Sequence, residues 1–121
     1  NPAPNAGARM NYQGRLFASR FYSSGYFYYS DARLKENVAR VAQDEGMDIL
    51  RDIRPVRYDW KATGEEGLGV IAQETAETLP NIVTNDESGT MSVDYIQLIS
   101  PMIAAIQQLD ARVDTLETGV F

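Results

Sequence analysis

The apolar positions of the chain change their period several times, and each change predicts an element. The most regular stretch lies at the C-terminal end, where Ile99, Met102, Ile106, Leu109, Val113 and Leu116 recur with spacings of 3, 4, 3, 4 and 3. That is a heptad a/d pattern, the kind of seam that pairs with an identical helix. Ile103 widens the stripe, which suits three or more helices better than two. Arg112 at a g position and Glu117 at the following e position fit an ion pair between parallel chains. The alternative is one amphipathic helix folded onto its own domain. Asp94 and Gln97 are placed to form a capping box for a helix starting at Tyr95. Pro101 interrupts the pattern, so either the helix kinks there or Ser100 caps a second helix beginning at Pro101.

Upstream the periods are shorter. Residues 43–53 suit a short helix with Met47, Ile49, Leu50 and Ile53 partly on one face, ended by Pro55. "VRYDW" then alternates as a strand, with Val56, Tyr58 and Trp60 on one side and Arg57 and Asp59 on the other. The turn "KATGEEG" leads to a second strand, "LGVIA", predicting a β-hairpin. "QETAETL" is a short helix stopped by Pro80, and "NIVTNDESGTMSVD" is a second hairpin turning at "NDESG".

The N-terminal part is different. Residues 1–8 are rich in Pro, Gly, Ala and Asn and predict irregular structure. From Tyr12 to Tyr29 the chain holds Leu16, Phe17, Phe21 and five tyrosines, with Gly14 and Gly25 as punctuation, predicting short strands near 15–22 and 25–29. So few residues cannot bury that aromatic surface among themselves. Either a hairpin packs on the module downstream of it, or strands from several chains wrap together.

Composition narrows the chemistry. With no cysteine there are no disulfides, thiolates or cysteine zinc sites, and with no histidine the usual general base is missing. No cofactor loop or metal-ligand cluster is recognisable, so neither a cofactor nor a metal is expected. Apolar runs are far short of a membrane span, and a soluble fragment of a longer protein is expected. The net charge of -6 is segregated: residues 1–29 hold 3 of the 11 bases and none of the 17 acids, giving +3, and the remainder is at -9. The acidic part argues against nucleic acid and anionic membranes as partners.

At the junction stands "YYSDARLKENVARV", with Ser30 and, five residues on, Lys35. A serine hydroxyl needs a base to remove its proton, and lysine is the likeliest base this composition leaves. A free lysine is neutral in well under about one molecule in a hundred at pH 7, so burial or a neighbouring cation, with Arg33 a candidate, has to favour the neutral amine. Attack by Ser30 on the carbonyl of Tyr29 passes through a five-membered ring and gives an ester that water can cleave. The other reading is that Ser30 caps a turn and Lys35 is solvated.

Several segments, in order, resemble one family. They are "SDARLKENV" at 30–38, "IRPVRYDW" at 53–60, "LGVIAQE" at 68–74, "LPNIV" at 79–83, "SVDYIQL" at 92–98 and "AAIQQL" at 104–109. Together the chain resembles the C-terminal intramolecular chaperone domains of phage tail spikes and fibres, the endosialidase type, which are autocatalytically released serine peptidases. The resemblance implies an α+β fold of short helices and small β-hairpins, ending in a coiled-coil-like helix and assembled as a homotrimer. It makes Ser30 the nucleophile and Lys35 the general base of a Ser-Lys dyad; for attack within one chain the ring size puts the cut between Tyr29 and Ser30, a constraint that attack from a neighbouring chain would remove. Asp31, Arg33 and Leu34 match motif positions as structural support.

On this reading residues 1–29 are the aromatic β end of a fibre stalk and residues 30–121 the chaperone. Related domains occur in membrane-anchored transcription factors, but the aromatic upstream segment favours a phage fibre. The implied partners are two further copies of the chain and its own upstream segment as folding client. The implied setting is a tail fibre precursor made in the bacterial cytoplasm, with the chaperone absent from the mature virion. A trimeriser would raise the effective concentration of neighbouring strands and set their register, and its loss would leave a kinetically stable fibre. The competing class is a permanent trimerisation or receptor-binding tip in which Ser30 is inert.

Overall fold

A glycine sits where two helices cross. Helix α1 (Gln43–Asp52) crosses α3 (Ile99–Thr118) with buried Gly46 at the contact. A Cβ at Gly46 would lie 2.6 Å from the Ala104 Cβ and 2.7 Å from the Pro101 carbonyl oxygen, closer than carbon atoms approach. Pro101, Ala104 and Ala105 follow the i, i+3, i+4 spacing of one helix face, and all are buried. The face of α3 that packs within the chain is therefore its small-residue face.

The protein is described by a computed structural model covering residues 9–10 and 14–119, so the segment 1–8 expected to be irregular, and Tyr12, lie outside the described residues. Two regions pack within themselves, one up to Val38 and one from Ala39 on.

In the first region, β1 (Arg9–Met10) pairs antiparallel with β2 (Leu16–Phe17), Arg9 opposite Phe17. The strands expected at 15–22 and 25–29 thus shrink to Leu16–Phe17, and residues 25–29 form no strand. The cause is local. The Ser23 hydroxyl accepts the Gly25 N–H at 3.0 Å and donates to the Gly25 carbonyl at 2.6 Å, a turn that competes with any ladder. The aromatic side chains contact one another along the chain, Phe21 edge-on to Tyr26 and Tyr26 stacked on Tyr28. Phe27 and Tyr29 stay almost fully exposed.

In the second region the charges of α1 suit the helix dipole, with Asp44 and Glu45 in the first turn and Arg51 in the last. It ends one residue before the expected Ile53, which is the C-cap. Strand β3 (Val56–Asp59) pairs antiparallel with β4 (Glu66–Gly69), and within β3 the alternation is as expected, Val56 and Tyr58 half-buried and Arg57 and Asp59 out, but Trp60, expected on the inner side, lies past the strand end and is 56% exposed. The second strand was expected at 68–72, yet it begins at Glu66 and ends at Gly69. Val70 leaves the ladder because its N–H donates to the Tyr95 hydroxyl at 3.0 Å. Gly67 and Gly69 are required here: a side chain at Gly67 would enter the Tyr58 ring and one at Gly69 the Tyr95 hydroxyl.

Helix α2 (Ala72–Thr78) comes next, then a 3-10 turn (Pro80–Ile82) and the hairpin of β5 (Val83–Asn85) and β6 (Met91–Val93). Asp86 makes its turn, one carboxylate oxygen accepting from the Ser88 N–H, the Ser88 hydroxyl and the Thr90 N–H. Arg54 reaches α2 as a fork, its Nε and Nη2 on the Glu74 carboxylate at 2.9 and 2.6 Å.

The C-terminal helix corrects three expectations. The α-helix begins at Ile99, preceded by a 3-10 turn over Tyr95–Leu98. The capping box does not form: the Gln97 N–H donates to the Asp94 carbonyl at 3.2 Å and the Asp94 N–H to the Ile82 carbonyl at 2.7 Å, while the Gln97 side-chain amide donates to the Asp94 carboxylate at 2.8 Å. Pro101 neither breaks the α-helix nor starts another. It is the third residue of an unbroken helix, where the N–H it lacks would have had no intrahelical acceptor. Gly119, at φ 71°, closes the helix by donating to Leu116 and Thr115 carbonyls.

The heptad residues face away from this packing. Ile99, Met102, Ile106, Leu109, Val113 and Leu116 expose between 44% and 64% of their surface, and Ile103 52%. Within one chain the seam is thus only partly covered. Among the described residues the buried apolar side chains include Ile82, Leu98, Ala104 and Ala105. The architecture is a small α+β fold with three helices, a long C-terminal one among them, and small antiparallel hairpins.

Two measurements probe this packing. Gly46→Ala gains about 1 kcal/mol in helix propensity but overpacks against a backbone oxygen and a helix-borne methyl, at about 1 to 3 kcal/mol. A net fall in the urea midpoint is expected, and an unchanged midpoint would contradict the close crossing. The second measurement concerns acid. Hydrogen bonding from Arg54 holds the Glu74 carboxyl below its usual range, and Ser88 does the same for Asp86. Depressed carboxyls contribute stability above their unfolded values, about 3.9 to 4.3, and lose it as pH falls through the folded values. Melting followed by circular dichroism should drop below about pH 4, and Glu74→Gln should flatten that acid limb.

Candidate active site

Five residues in extended conformation span about 17 Å, well beyond the reach of a lysine side chain. The chain between Ser30 and Lys35 must therefore reverse for the two to meet, and it does. Asp31 and Lys35 are extended, and between them Ala32–Leu34 form one 3-10 turn. The Leu34 N–H donates to the Asp31 carbonyl at 3.0 Å and the Lys35 N–H to the Ala32 carbonyl at 3.2 Å. The turn swings the lysine back, and its Nζ donates to the Ser30 Oγ at 2.7 Å.

The residues between them are fasteners. Asp31 caps the turn, its Oδ1 accepting the Arg33 N–H at 2.9 Å. The Arg33 guanidinium folds back onto the same carboxylate, with Nε 3.1 and 3.2 Å from its two oxygens and Nη2 2.8 Å from one. Arg33 thus holds the Asp31 carboxyl below the usual carboxylate range, first through its side chain and then through its backbone N–H. Leu34 points outward, 69% exposed.

Two expectations about the lysine change. Lys35 was to be enclosed, but both it and Ser30 are exposed and the turn buries no residue. Arg33 was a candidate to act on Lys35 as a free cation, but Asp31 already pairs its charge. The three N–H groups of Arg33, Leu34 and Lys35 are likewise committed, so an oxyanion would need donors other than these. Asn37, two residues past the lysine, adopts φ 55°, a left-handed conformation that asparagine tolerates better than most residues. Sequence reasoning did not single it out, and Asn after a turn was the one available signal. Among the described residues no group of three or more Asp or Glu could hold a metal ion.

In the protonated state Lys35 is the donor in this contact. Once the amine is neutral, the same 2.7 Å separation serves with the direction reversed, the Ser30 hydroxyl donating and Nζ accepting. The arrangement can therefore move a proton from Oγ to Nζ without moving either chain segment.

Residues 30–84 match the family model Peptidase_S74, chaperone of endosialidase. The match begins at Ser30 and takes in the turn, α1, both strands of the first hairpin and α2. The segments "SVDYIQL" and "AAIQQL", which carried part of the resemblance, lie beyond the matched residues. Residues 30–84 are thus similar to the chaperone-of-endosialidase domain.

Proposed function

We propose that residues 30–121 trimerise and guide the folding of a phage tail fibre or spike, and that the chain then cuts itself between Tyr29 and Ser30. The observation that carries this reading is the Lys35 Nζ to Ser30 Oγ contact of 2.7 Å at the first residue of the family match.

In the reaction, Lys35 accepts the Ser30 hydroxyl proton as Oγ attacks the Tyr29 carbonyl carbon. The C–N bond breaks, the proton passes to the departing Ser30 nitrogen, and an ester joins Tyr29 to the serine oxygen. Water then cleaves the ester, leaving a Tyr29 carboxylate and a Ser30 that has a free amine and its hydroxyl restored. One water is consumed and the event happens once per chain.

Assembly supplies what one chain lacks. A helix of 20 residues, about 30 Å long, presents an uncovered apolar seam, the surface that a parallel trimer would bury. Neighbouring chains laid over the exposed turn would take Lys35 out of water, and burial disfavours the charged amine. Cleavage would then wait for assembly. The client is the upstream aromatic segment, whose Phe27 and Tyr29 are uncovered in one chain. The precursor would be made in the bacterial cytoplasm, and the chaperone part would be missing from the mature virion.

A second reading is favoured by the exposure of Ser30 and Lys35. If no neighbour covers them, the domain is a permanent trimeric tip and Ser30 a turn residue.

Boiled denaturing gels with intact-mass measurement separate the two. The wild type is expected to split into residues 1–29 and 30–121, with Ser30→Ala and Lys35→Ala whole. Full-length bands in all three would sink the peptidase reading. Trimerisation is checked by light scattering on the uncleaved Ser30→Ala chain. A trimer mass is expected, reduced to monomer by Ile106→Asp with Leu109→Asp, since a charge at a seam position costs several kcal/mol unless paired. A monomer at every concentration would remove the seam argument.

A further inference from the structure

The turn that brings Lys35 onto Ser30 is small and exposed. Two backbone hydrogen bonds in water do not hold a single turn, because its dihedral angles are fixed at an entropic cost that such bonds barely offset. Something else must keep it closed. The turn buries no residue, and Leu34 is 69% exposed. What remains is the Asp31 carboxylate, which takes the Arg33 N–H with one oxygen while both oxygens grip the Arg33 guanidinium.

We infer that Asp31 and Arg33 are positioning residues that clamp the turn and so hold Lys35 within proton-transfer distance of Ser30. The inference rests on the self-cleavage reading above and gives the two residues distinct parts within it. The Asp31 oxygen is the cap, accepting a backbone N–H that is present whatever side chain stands at position 33. The guanidinium is a brace, which holds that carboxylate in the capping orientation. The clamp acts on geometry alone. The ion pair neutralises itself, and neither partner is bonded to Ser30 or Lys35.

This division predicts an order of effects on the cleavage rate, which scales with the fraction of time the turn is closed. Asp31→Ala removes cap and brace together and is expected to slow cleavage about tenfold to a hundredfold, the scale of a misplaced catalytic group. Asp31→Asn keeps a capping oxygen and loses the ion pair, and Arg33→Ala keeps the cap and loses the brace. Each should slow cleavage by about threefold, and the double variant should be no slower than either, since both remove one interaction.

The test follows the full-length band over time after refolding from denaturant, from pH 6 to 10, for the wild type and these variants. Thermal unfolding of each is measured in the Ser30→Ala background, where no cleavage occurs. The clamp is supported if Asp31→Ala lowers the rate at every pH without moving the midpoint of the profile, Asp31→Asn restores most of it, and melting temperatures match Ser30→Ala alone. It is overturned if Asp31→Ala cleaves at the wild-type rate, or if its melting temperature falls in step with its activity. It is also overturned if Asp31→Asn is as slow as Asp31→Ala, which would make the carboxylate charge part of the chemistry, or if the midpoint shifts, which would make the pair an electrostatic device. A wild type that stays whole removes the self-cleavage reading and the clamp with it. A wild type that cleaves beside a fully active Asp31→Ala removes the clamp alone.

Discussion

The crossing of α1 over α3 depends on there being nothing at Gly46 beyond its α-carbon. The space a side chain would take is occupied by Ala104 and by the Pro101 carbonyl. This contact decides which side of α3 is spent inside the chain. A helix has one circumference, and once Pro101, Ala104 and Ala105 face α1 the large apolar residues of the heptad must point elsewhere. The fold therefore uses its small residues for its own cohesion and keeps its large ones uncovered. That is an inversion of the usual arrangement, in which the bulkiest apolar side chains form the interior, and it accounts for how few buried apolar side chains the described residues contain.

The same economy appears in the hairpins. Tyr58 and Tyr95 lie against glycines, and Tyr95 links the start of the C-terminal helix to the end of β4 by receiving the Val70 N–H. Together with the Arg54 fork on Glu74, a handful of specific contacts joins elements that share little core. Such a structure is held by geometry at defined points more than by buried area. Such contacts depend on single side chains, the Arg54 fork among them on a charged Glu74 carboxylate.

Much of this was legible in the residues. The period-2 alternation of "VRYDW", the turn at "NDESG" and the heptad spacing each led to the element found, because each rests on local sterics or on a repeated period. The failures have one physical source, competition for the same backbone groups by partners distant in sequence or unexpectedly near. Val70 was read as strand and gives its N–H to a tyrosine 25 residues away. Asp94 was read as a cap, and its N–H goes to the Ile82 carbonyl while its carboxylate takes the Gln97 amide. The aromatic run was read as strands, and Ser23 turns it locally. At the site, Ser30 and Lys35 could be named from their spacing and the resemblance. The fastening of Asp31 to Arg33 could not, since an Asp and an Arg two apart meet only when the backbone between them turns.

The contact between Lys35 and Ser30 also bears on what a cut chain would become. Hydrolysis at Tyr29 would turn the Ser30 nitrogen into an α-amine, a group whose ordinary pKa is about 8 and which is mostly charged at neutral pH. A charged amine would then stand beside the hydroxyl that Lys35 approaches and compete with the lysine for it. The intact and the severed turn would differ in shape as well as in connectivity. A site of this kind would disarm itself by firing, and the energetics of its own product would keep the bond from being remade.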